Sequence, residues 1–225
     1  MLLQCPYPDC AQIAEFEESS RAARGRCSSC GRPGSFRNPD GLKQIEMWWR
    51  KRHEAGVERG GPPFDESVPA PLSCIVEDIR SLWNVGSILR TADGAGFSRV
   101  YLCGISGCPP RKEIAKTSLG AEETVSWQYA KSILYVIPQL KKQGVTILGL
   151  ERTNESTDLS TELSKGSFEV PATVIVGNEV TGLSAEALAE CDFVCHLPMR
   201  GMKESLNVAV AFGVAAYMIS ENLIP

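Results

Sequence analysis

The segment ATVIVGNEVTGLSAEALAE, residues 172–190, joins a short apolar run to a glycine-containing turn and then to a helical pattern. Continuous apolar runs of this length are typical of strands in a parallel sheet that is covered on both faces. Four further runs are LSCIV at 72–76, RVYLCG at 99–104, VTILGL at 145–150 and FVCHL at 193–197. Helical patterns alternate with them, at residues 84–95, 133–143, 184–190 and 205–222. The alternation predicts an α/β domain built on a parallel sheet.

Four cysteines near the N-terminus form two close pairs. Cys5 and Cys10 lie in CPYPDC, and Cys27 and Cys30 lie in CSSCG. Four thiolates from two tight turns suit a tetrahedral zinc ion, so the spacing predicts a zinc-ribbon-like module over residues 1–40. The alternative is a set of free thiols in a poorly ordered tail, but a segment with so few large apolar side chains could hardly fold without a metal. Other cysteines in apolar runs are predicted to be ordinary core residues: Cys74, Cys103 and Cys195.

Two segments connect the module to the α/β domain. In GLKQIEMWWRKRHEA, residues 41–55, apolar side chains recur at helical spacing and basic ones lie mostly off that stripe, which predicts an amphipathic helix. Its basic cluster is either a solvated face or a phosphate-contacting surface. GVERGGPPFDESVPAP, residues 56–71, has the Gly and Pro content of a linker. We therefore expect a helix and linker over residues 41–71 and the α/β domain over residues 72–225.

The composition is that of an ordinary globular protein, with 43% hydrophobic and 22% charged residues, which excludes a disordered or fibrous polymer. The longest nearly continuous apolar stretch, residues 208–219, is shorter than the roughly 20 residues that a bilayer span requires, and the first residues lack the pattern of a secretory signal. We expect a cytoplasmic protein without membrane association. The net charge is −4, but the first 60 residues carry ten Lys and Arg against eight acidic residues, which permits a nucleic-acid partner.

Two segments combine glycines with polar side chains where strands and helices meet turns. NVGSILRTADGAG, residues 84–96, carries Asn84, which is predicted to cap a helix, and Arg90, which lies off the buried stripe of that helix. VGNEVTGLS, residues 176–184, places Glu179 between two glycines after a strand, where open parallel sheets present their ligands. Each feature alone also fits a simpler account, namely a surface arginine on an amphipathic helix and a turn with a helix cap.

A third segment, HLPMRGMKESLNVAVAFGVAAY, covers residues 196–217. Ser205 and Asn207 open its helix, so two hydrogen-bonding side chains are expected where a helix has unpaired amides. The helix is apolar on every side, which predicts burial against its own sheet and against a second subunit, and hence a homodimer. His196 is predicted to be a core or ligand-wall residue, because no second metal ligand lies at a suitable spacing from it.

In this order, and with KTSLGAEE at residues 116–123, the three segments resemble the motifs of the SpoU (TrmH-type) family of RNA ribose 2'-O-methyltransferases, within the SPOUT superfamily. The resemblance covers residues 72–225. It implies a parallel-sheet α/β domain with a deep C-terminal trefoil knot, S-adenosylmethionine held in the knot, and an obligate homodimer acting on tRNA or rRNA. It says nothing of the N-terminal cysteines, because a cysteine module is not a general feature of the family.

The resemblance also assigns roles to individual residues. Asn84 and Arg90 would face the RNA, and Glu179 would be the acid of the second motif. Ser205 and Asn207 would lie beside the reacting centre. Contacts with the cofactor would come from five further positions: Leu150, Gly177, Leu197, Met199 and Leu206.

The reaction implied is in-line transfer of the sulfonium methyl group to a ribose 2'-hydroxyl, aided chiefly by holding the reacting atoms collinear. A guanidinium holds its proton very strongly, so we expect Arg90 to stay charged, to anchor phosphate and to stabilise the developing alkoxide. Two alternatives stay open, a zinc-ribbon RNA-binding protein whose second domain does not react and a methyltransferase directed at a base. The sequence distinguishes neither tRNA from rRNA nor one nucleotide from another, and it leaves the proton acceptor unidentified.

Overall fold

The computed structural model describes residues 2–15, 22–37 and 58–224. Within these ranges the chain forms a small N-terminal sheet and a large α/β sheet. The helix predicted at residues 41–55 lies outside the described residues, as do the first two residues of the linker predicted at 56–71. None of the helices in the described ranges combines the length and the apolar character that a membrane span requires.

The small sheet has four short strands: β1 (Leu2–Gln4), β2 (Ile13–Glu15), β3 (Ala22–Arg26) and β4 (Pro33–Arg37). They pair antiparallel in the order β2-β1-β4-β3. Its buried residues are Leu3, Cys5, Tyr7, Cys27 and Phe36. A core of this size is well below what a domain needs to fold by burial alone.

The large sheet has eight strands: β5 (Arg59–Gly60), β6 (Leu72–Glu77), β7 (Arg99–Cys103), β8 (Ser126–Ala130), β9 (Thr146–Leu150), β10 (Thr157–Asp158), β11 (Ala172–Val176) and β12 (Phe193–His196). Their order is β10-β12-β9-β11-β6-β7-β8-β5. All neighbours pair parallel except the edge strand β5, which is antiparallel to β8. The prediction of an α/β domain with a parallel sheet is confirmed, and all five apolar runs form strands.

Seven helices accompany the large sheet in the described ranges: α1 (Leu82–Gly94), α2 (Lys112–Ser118), α3 (Ala121–Thr124), α4 (Ile137–Lys142), α5 (Leu159–Ser164), α6 (Ala185–Glu190) and α7 (Val208–Leu223). They cover both of its faces. In the central strand β6, Cys74 and Val76 pack into the core that includes α1 and α7, whereas Ile75 packs into the core that includes α4 and α6. Because successive side chains of a strand point to opposite faces, this double cover explains why the strand sequences are continuously apolar. Cys74, Cys103 and Cys195 are fully buried, as predicted.

Three strands of the large sheet (β5, β8 and β10) and three helices were not predicted from the sequence, and β5 lies within the segment predicted to be a linker. The segment SWQYA of β8 mixes polar and aromatic residues because it lies next to the sheet edge, and β10 has only two residues. The short helices α2, α3 and α5 have 7, 4 and 6 residues, too few for a clear periodic pattern. The helix predicted at 133–143 is divided into a 3₁₀ turn, Ile133–Tyr135, and α4, which has a proline in its first turn.

The caps of two helices correct the sequence-based boundaries. Helix α1 begins at Leu82 with Ser81 as its N-cap, and Ser81 Oγ accepts a hydrogen bond from Asn84 N at 3.3 Å. The prediction that Asn84 caps this helix was therefore wrong, because Asn84 lies in the first turn. Helix α7 begins at Val208, and its N-cap is Asn207, whose Oδ1 accepts from Ala209 N at 3.0 Å. Ser205 precedes the helix.

Candidate active site

A cleft of about 410 Å³ opens at the carboxyl edge of the large sheet, where β9, β11 and β12 end. The loop after β11 forms one wall, and the segment between β12 and α7 forms another. Eight of the ten residues to which the resemblance assigns a role line it: Leu150, Gly177, Glu179, Leu197, Met199, Ser205, Leu206 and Asn207. All five positions that the resemblance assigns to the cofactor are among them. Leu150 and Leu197 also pack against the adjoining hydrophobic core, so the cleft has an apolar floor.

The loop after β11, residues 177–184, is folded tightly around Asn178. Asn178 Oδ1 accepts hydrogen bonds from Val180 N at 2.9 Å and Thr181 N at 3.1 Å, and its Nδ2 donates to Asp78 O at 2.7 Å. A Cβ on Gly177 would lie 2.5 Å from backbone atoms of the same loop. A side chain at position 177 would therefore displace the loop itself, whether or not a ligand occupied the cleft.

Glu179 accepts hydrogen bonds from the two residues that precede α1 and from the first turn of α1. Its Oε2 accepts from Arg80 N, and its Oε1 accepts from Ser81 N and Asn84 Nδ2, each at 2.9 Å. Desolvation raises the pKa of Glu179, but these hydrogen bonds outweigh it, and the pKa lies below its ordinary value. The side chain is therefore an ionised carboxylate. Its hydrogen bonds with these donors hold the loop against the start of α1.

Asn84 and Asn207 extend this network into the third motif. Asn207 Nδ2 donates to Asn84 Oδ1 at 3.2 Å, while Asn84 Nδ2 donates to Glu179. One chain of hydrogen bonds thus joins a residue from each of the three motifs. Since Asn207 also caps α7, the network fixes the N-terminal end of that helix beside the cleft, where its amides carry partial positive charge.

Ser205 and Arg90 stand apart from this network. Ser205 is exposed and lines the cleft. Arg90 is exposed on α1 and does not line the cleft, and in the described chain it has no hydrogen bond or ion pair. The structure therefore brings together every residue that the resemblance assigned to the site except Arg90.

Two further residues line the cleft: Glu151, which was given no role from the sequence, and His196, which was predicted to be a core or ligand-wall residue. Glu151, directly after β9, accepts hydrogen bonds from Leu183 N at 2.9 Å and Arg152 N at 3.0 Å, and it lines the cleft. Its position just after a strand at the ligand-binding edge was the available signal. His196 also lines the cleft, as a ligand-wall residue, and its Nδ1 is 2.9 Å from Ser156 Oγ.

Beneath the loop, a buried carboxyl group joins the sheet to α6. Glu77, at the end of β6, accepts hydrogen bonds from Ser184 N at 3.0 Å and Ser184 Oγ at 2.6 Å. Burial, together with the nearby charges of Asp78 and Glu186, raises the pKa of Glu77 to about 8, although the hydrogen bonds from Ser184 oppose the shift. Ser184 Oγ in turn accepts from Ala187 N and caps α6.

The four N-terminal cysteines come together although they lie on two separate turns. Their sulfur atoms all lie within 4.8 Å of one another, with Cys5 Sγ 3.9 Å from Cys30 Sγ and Cys10 Sγ 3.7 Å from Cys27 Sγ. Four sulfurs at the usual Zn–S distance of about 2.3 Å are about 3.8 Å apart at the corners of a tetrahedron. The cluster therefore has the ligand type and spacing of a structural zinc site.

Comparison with known proteins agrees with the motifs. The model of the SpoU rRNA methylase family matches residues 71–217. A 23S rRNA (guanosine-2'-O-)-methyltransferase, RlmB, from Pseudomonas aeruginosa is 26% identical over 204 residues, which cover 84% of this chain and 80% of that protein. A putative TrmH family tRNA/rRNA methyltransferase from Staphylococcus saprophyticus is 32% identical over 145 residues, 64% of this chain and 56% of that protein.

Among solved structures, the AdoMet-bound rRNA methyltransferase from Sinorhizobium meliloti superposes with a TM-score of 0.64 and 25% identity, over 70% of this chain and 58% of that one. The chain thus spans less than two thirds of several of the proteins that it matches. The family model nevertheless covers well over half of the present sequence, including all three motifs. On this evidence the chain belongs to the SpoU rRNA methylase family.

Proposed function

We propose that this protein transfers the methyl group of S-adenosylmethionine to a ribose 2'-hydroxyl of tRNA or rRNA. The observation that carries the proposal is the cleft itself, since all five cofactor positions expected from the motifs line one cavity. The hydrogen-bonded series Glu179, Asn84 and Asn207 lies at its edge. The relative from Pseudomonas aeruginosa is named for 2'-O-methylation of guanosine in 23S rRNA, and the one from Staphylococcus saprophyticus for tRNA or rRNA.

The residues of the cleft suit such a cofactor. Its volume of about 410 Å³ falls within the range of about 300–1,000 Å³ that is usual for cofactor pockets. Leu150, Leu197 and Leu206 supply apolar walls for the adenine ring, and backbone groups beside Gly177 and Met199 supply hydrogen bonds. When bound, S-adenosylmethionine supplies a methyl group on a positively charged sulfur, ready for attack by an oxygen nucleophile.

The proposed division of labour follows from the contacts. Glu179 has its oxygens occupied by donors from α1, so it orients Asn84 and the loop and is not the proton acceptor. Ser205 and Asn207 bind and orient the ribose beside α7. Arg90 stays charged, lies outside the cofactor cleft of its own chain, and contacts RNA phosphate and the developing alkoxide. The proton leaves late, to water.

The same proposal includes an obligate homodimer. On α7, Val210, Val214 and Tyr217 are 52%, 43% and 49% exposed, and their spacing places them on one stripe, whereas Phe212 is fully buried. An apolar stripe of this kind on a helix whose other face is in the core is suited to a second copy of the helix. The proposal further includes the C-terminal trefoil knot around the cleft and a cytoplasmic location.

We also propose that Cys5, Cys10, Cys27 and Cys30 bind one zinc ion, which holds residues 1–40 together as a zinc-ribbon-like module. The helix and linker at 41–71 and the methyltransferase domain at 72–225 complete the proposed domain organisation. The zinc would be structural, since all four of its usual coordination positions would be filled by protein sulfur.

Incubation of the purified protein with RNA and labelled S-adenosylmethionine, followed by digestion to nucleosides, tests the proposal. The expected product is a 2'-O-methylated nucleoside. Label on a base would establish the base-directed alternative. Cofactor binding without transfer to total cellular RNA would establish the non-catalytic RNA-binding alternative. Mass spectrometry of RNA from cells with and without the protein would identify the nucleotide.

A further inference from the structure

The cysteine module contacts the loop that forms the cofactor cleft. Arg24, in β3, donates from Nη2 to two carbonyl oxygens of that loop, Thr181 O at 2.6 Å and Leu183 O at 3.2 Å. Residues 177–182 include several residues of the cleft wall, among them Gly182. The guanidinium of Arg24 therefore hydrogen-bonds to the loop on both sides of Gly182, a residue of the cleft wall.

A second contact fixes the position from which Arg24 acts. Ser35, in β4, donates its backbone N–H to Glu186 Oε2 at 2.8 Å, and its Oγ accepts from Ala185 N at 3.3 Å. Glu186 is only 6% exposed, so this junction is largely shielded from water. These hydrogen bonds hold the module against the start of α6, which follows the loop directly. The position of Arg24 relative to the loop is therefore fixed.

The cleft side of the same loop segment is held by a different residue. Glu151 accepts from Leu183 N at 2.9 Å and lines the cleft. Gly182 has φ of +68°, a conformation that costs least for glycine. Residues 181–183 are therefore held by a carboxylate of the large domain and by a guanidinium of the module.

We propose that Arg24 is a positioning residue that holds residues 181–183 in the conformation of the cleft wall, so that the docked cysteine module raises the affinity for S-adenosylmethionine. This inference rests on the proposed function of the cleft. Hydrogen bonds from a charged donor are about twice as strong as neutral ones, and Arg24 offers the donor that both carbonyls share. Without Arg24, the loop still has its hydrogen bond to Glu151 and its internal hydrogen bonds, but it loses the two hydrogen bonds from the module.

Calorimetric titration of S-adenosylmethionine into full-length variants tests this role. Arg24→Gln should raise the dissociation constant about tenfold, the size expected for a lost charged hydrogen bond at a partly exposed site. Arg24→Lys keeps the charge and one donor, and it should recover part of the affinity. In kinetics, Arg24→Gln should raise KM for the cofactor and leave kcat nearly unchanged, because the reacting groups are untouched.

The matched control is Arg26→Gln. Arg26 lies two residues further along β3, but it donates to Gly31 O within the module. With zinc content equal to that of the wild type, it should bind the cofactor normally. Unchanged affinity in Arg24→Gln, or an equal loss in Arg26→Gln, would overturn the assignment.

Hydrogen exchange separates this inference from the proposed function. In the absence of any cofactor, amides of residues 177–184 should exchange faster in Arg24→Gln than in the wild type, and equal rates would refute the positioning role. Failure of the wild type to bind S-adenosylmethionine would instead refute the function proposed for the cleft. If the Arg24→Gln variant contains no zinc, a second variant replaces it. Glu186→Ala removes the acceptor of Ser35 N, so it weakens the docking of the module without changing the module itself, and it should also lower the affinity for the cofactor. Normal affinity in Glu186→Ala would overturn the inference.

Discussion

The cysteine module and the large domain differ in what holds them together. The large domain buries two extensive clusters of aliphatic and aromatic side chains, one on each face of its sheet. Among the described residues, the core of the module has five buried hydrophobic side chains, two of which are cysteines of the four-cysteine cluster. Burial contributes about 25 cal/mol per Å² of apolar surface, so the first region can fold by burial, whereas the second needs a cross-link. With the proposed zinc bound, one chain would have two sources of stability, and each could be removed separately.

Loss of the metal should have the largest effect. Structural zinc contributes about 10–16 kcal/mol to the folding of small zinc-binding units, more than the whole stability that the module could gain from burial. Metal analysis should give about one zinc per chain, and Cys27→Ser should abolish it and unfold the module. The large domain should keep its circular dichroism signal. A shortened chain without residues 1–40 that retained full zinc would contradict this expectation.

The converse change removes burial from the large domain. Phe212 is fully buried on α7 and packs edge-on against Phe97, with ring centroids 5.4 Å apart. Phe212→Ala should lower the free energy of unfolding of this domain by about 3–5 kcal/mol, because it leaves a cavity in the core. Met202→Ala, at a fully exposed side chain, is the control and should change stability little. Denaturant titration measures both, and zinc content should be normal in each.

Chemistry is expected only in the large domain. Arg90→Ala should lower methyl transfer by about 10²- to 10³-fold, the usual result of losing an electrostatic group at a reacting centre. Affinity for S-adenosylmethionine should stay nearly unchanged, since Arg90 does not line the cleft. Arg59→Ala removes an exposed arginine that pairs with Glu66 at the edge strand, and it controls for the loss of charge. Wild-type transfer by Arg90→Ala on the native RNA would show that this role is wrongly assigned.

The smallest effect concerns pH and the junction between the regions. The folded pKa of Glu77 is raised from 4.5 to about 8. Its contribution to stability is therefore fully present below pH 4.5 and is lost as the pH rises through about 8, because the buried carboxyl group must then ionise.

Glu77→Gln should accordingly gain about 1–3 kcal/mol relative to the wild type between pH 5 and pH 9. Thermal unfolding at both pH values measures this difference. Glu155→Gln, at an exposed side chain, serves as the control and should follow the wild type at each pH. A Glu77→Gln curve parallel to that of the wild type would contradict the shifted pKa.

Sequence patterns predicted the family and the central strands because each of these features depends on a short, continuous stretch of sequence. Five apolar runs became strands, and the three motifs led to the family that the family model also matches. Contacts between distant residues were not predictable in this way. Glu179 accepts from Arg80 N, 99 residues away, and nothing in either segment alone indicates that pairing.

Two site residues show what local reasoning leaves out. Gly177 was expected to contact the cofactor. The structure gives a further reason for glycine at this position, because a Cβ there would collide with the backbone of Gly182 and Leu183. A Gly177→Val variant would therefore disturb the loop before any cofactor arrived. Arg90 was expected to face the RNA and lies outside the cleft, and its role toward RNA stays a prediction.

The contact between Arg24 and Thr181 spans 157 residues, and this separation sets an order of events during synthesis. The module precedes the loop on which it docks in the sequence, so the loop is synthesised much later. At about 5–20 residues per second, roughly 10–30 s pass between the two. Strand β6, at the centre of the sheet, likewise cannot pair with its neighbour β11 until β11 has been synthesised. A nascent chain therefore carries the residues of the N-terminal module well before it has the loop that completes the cleft, and the contact between Arg24 and this loop forms only after both have been made.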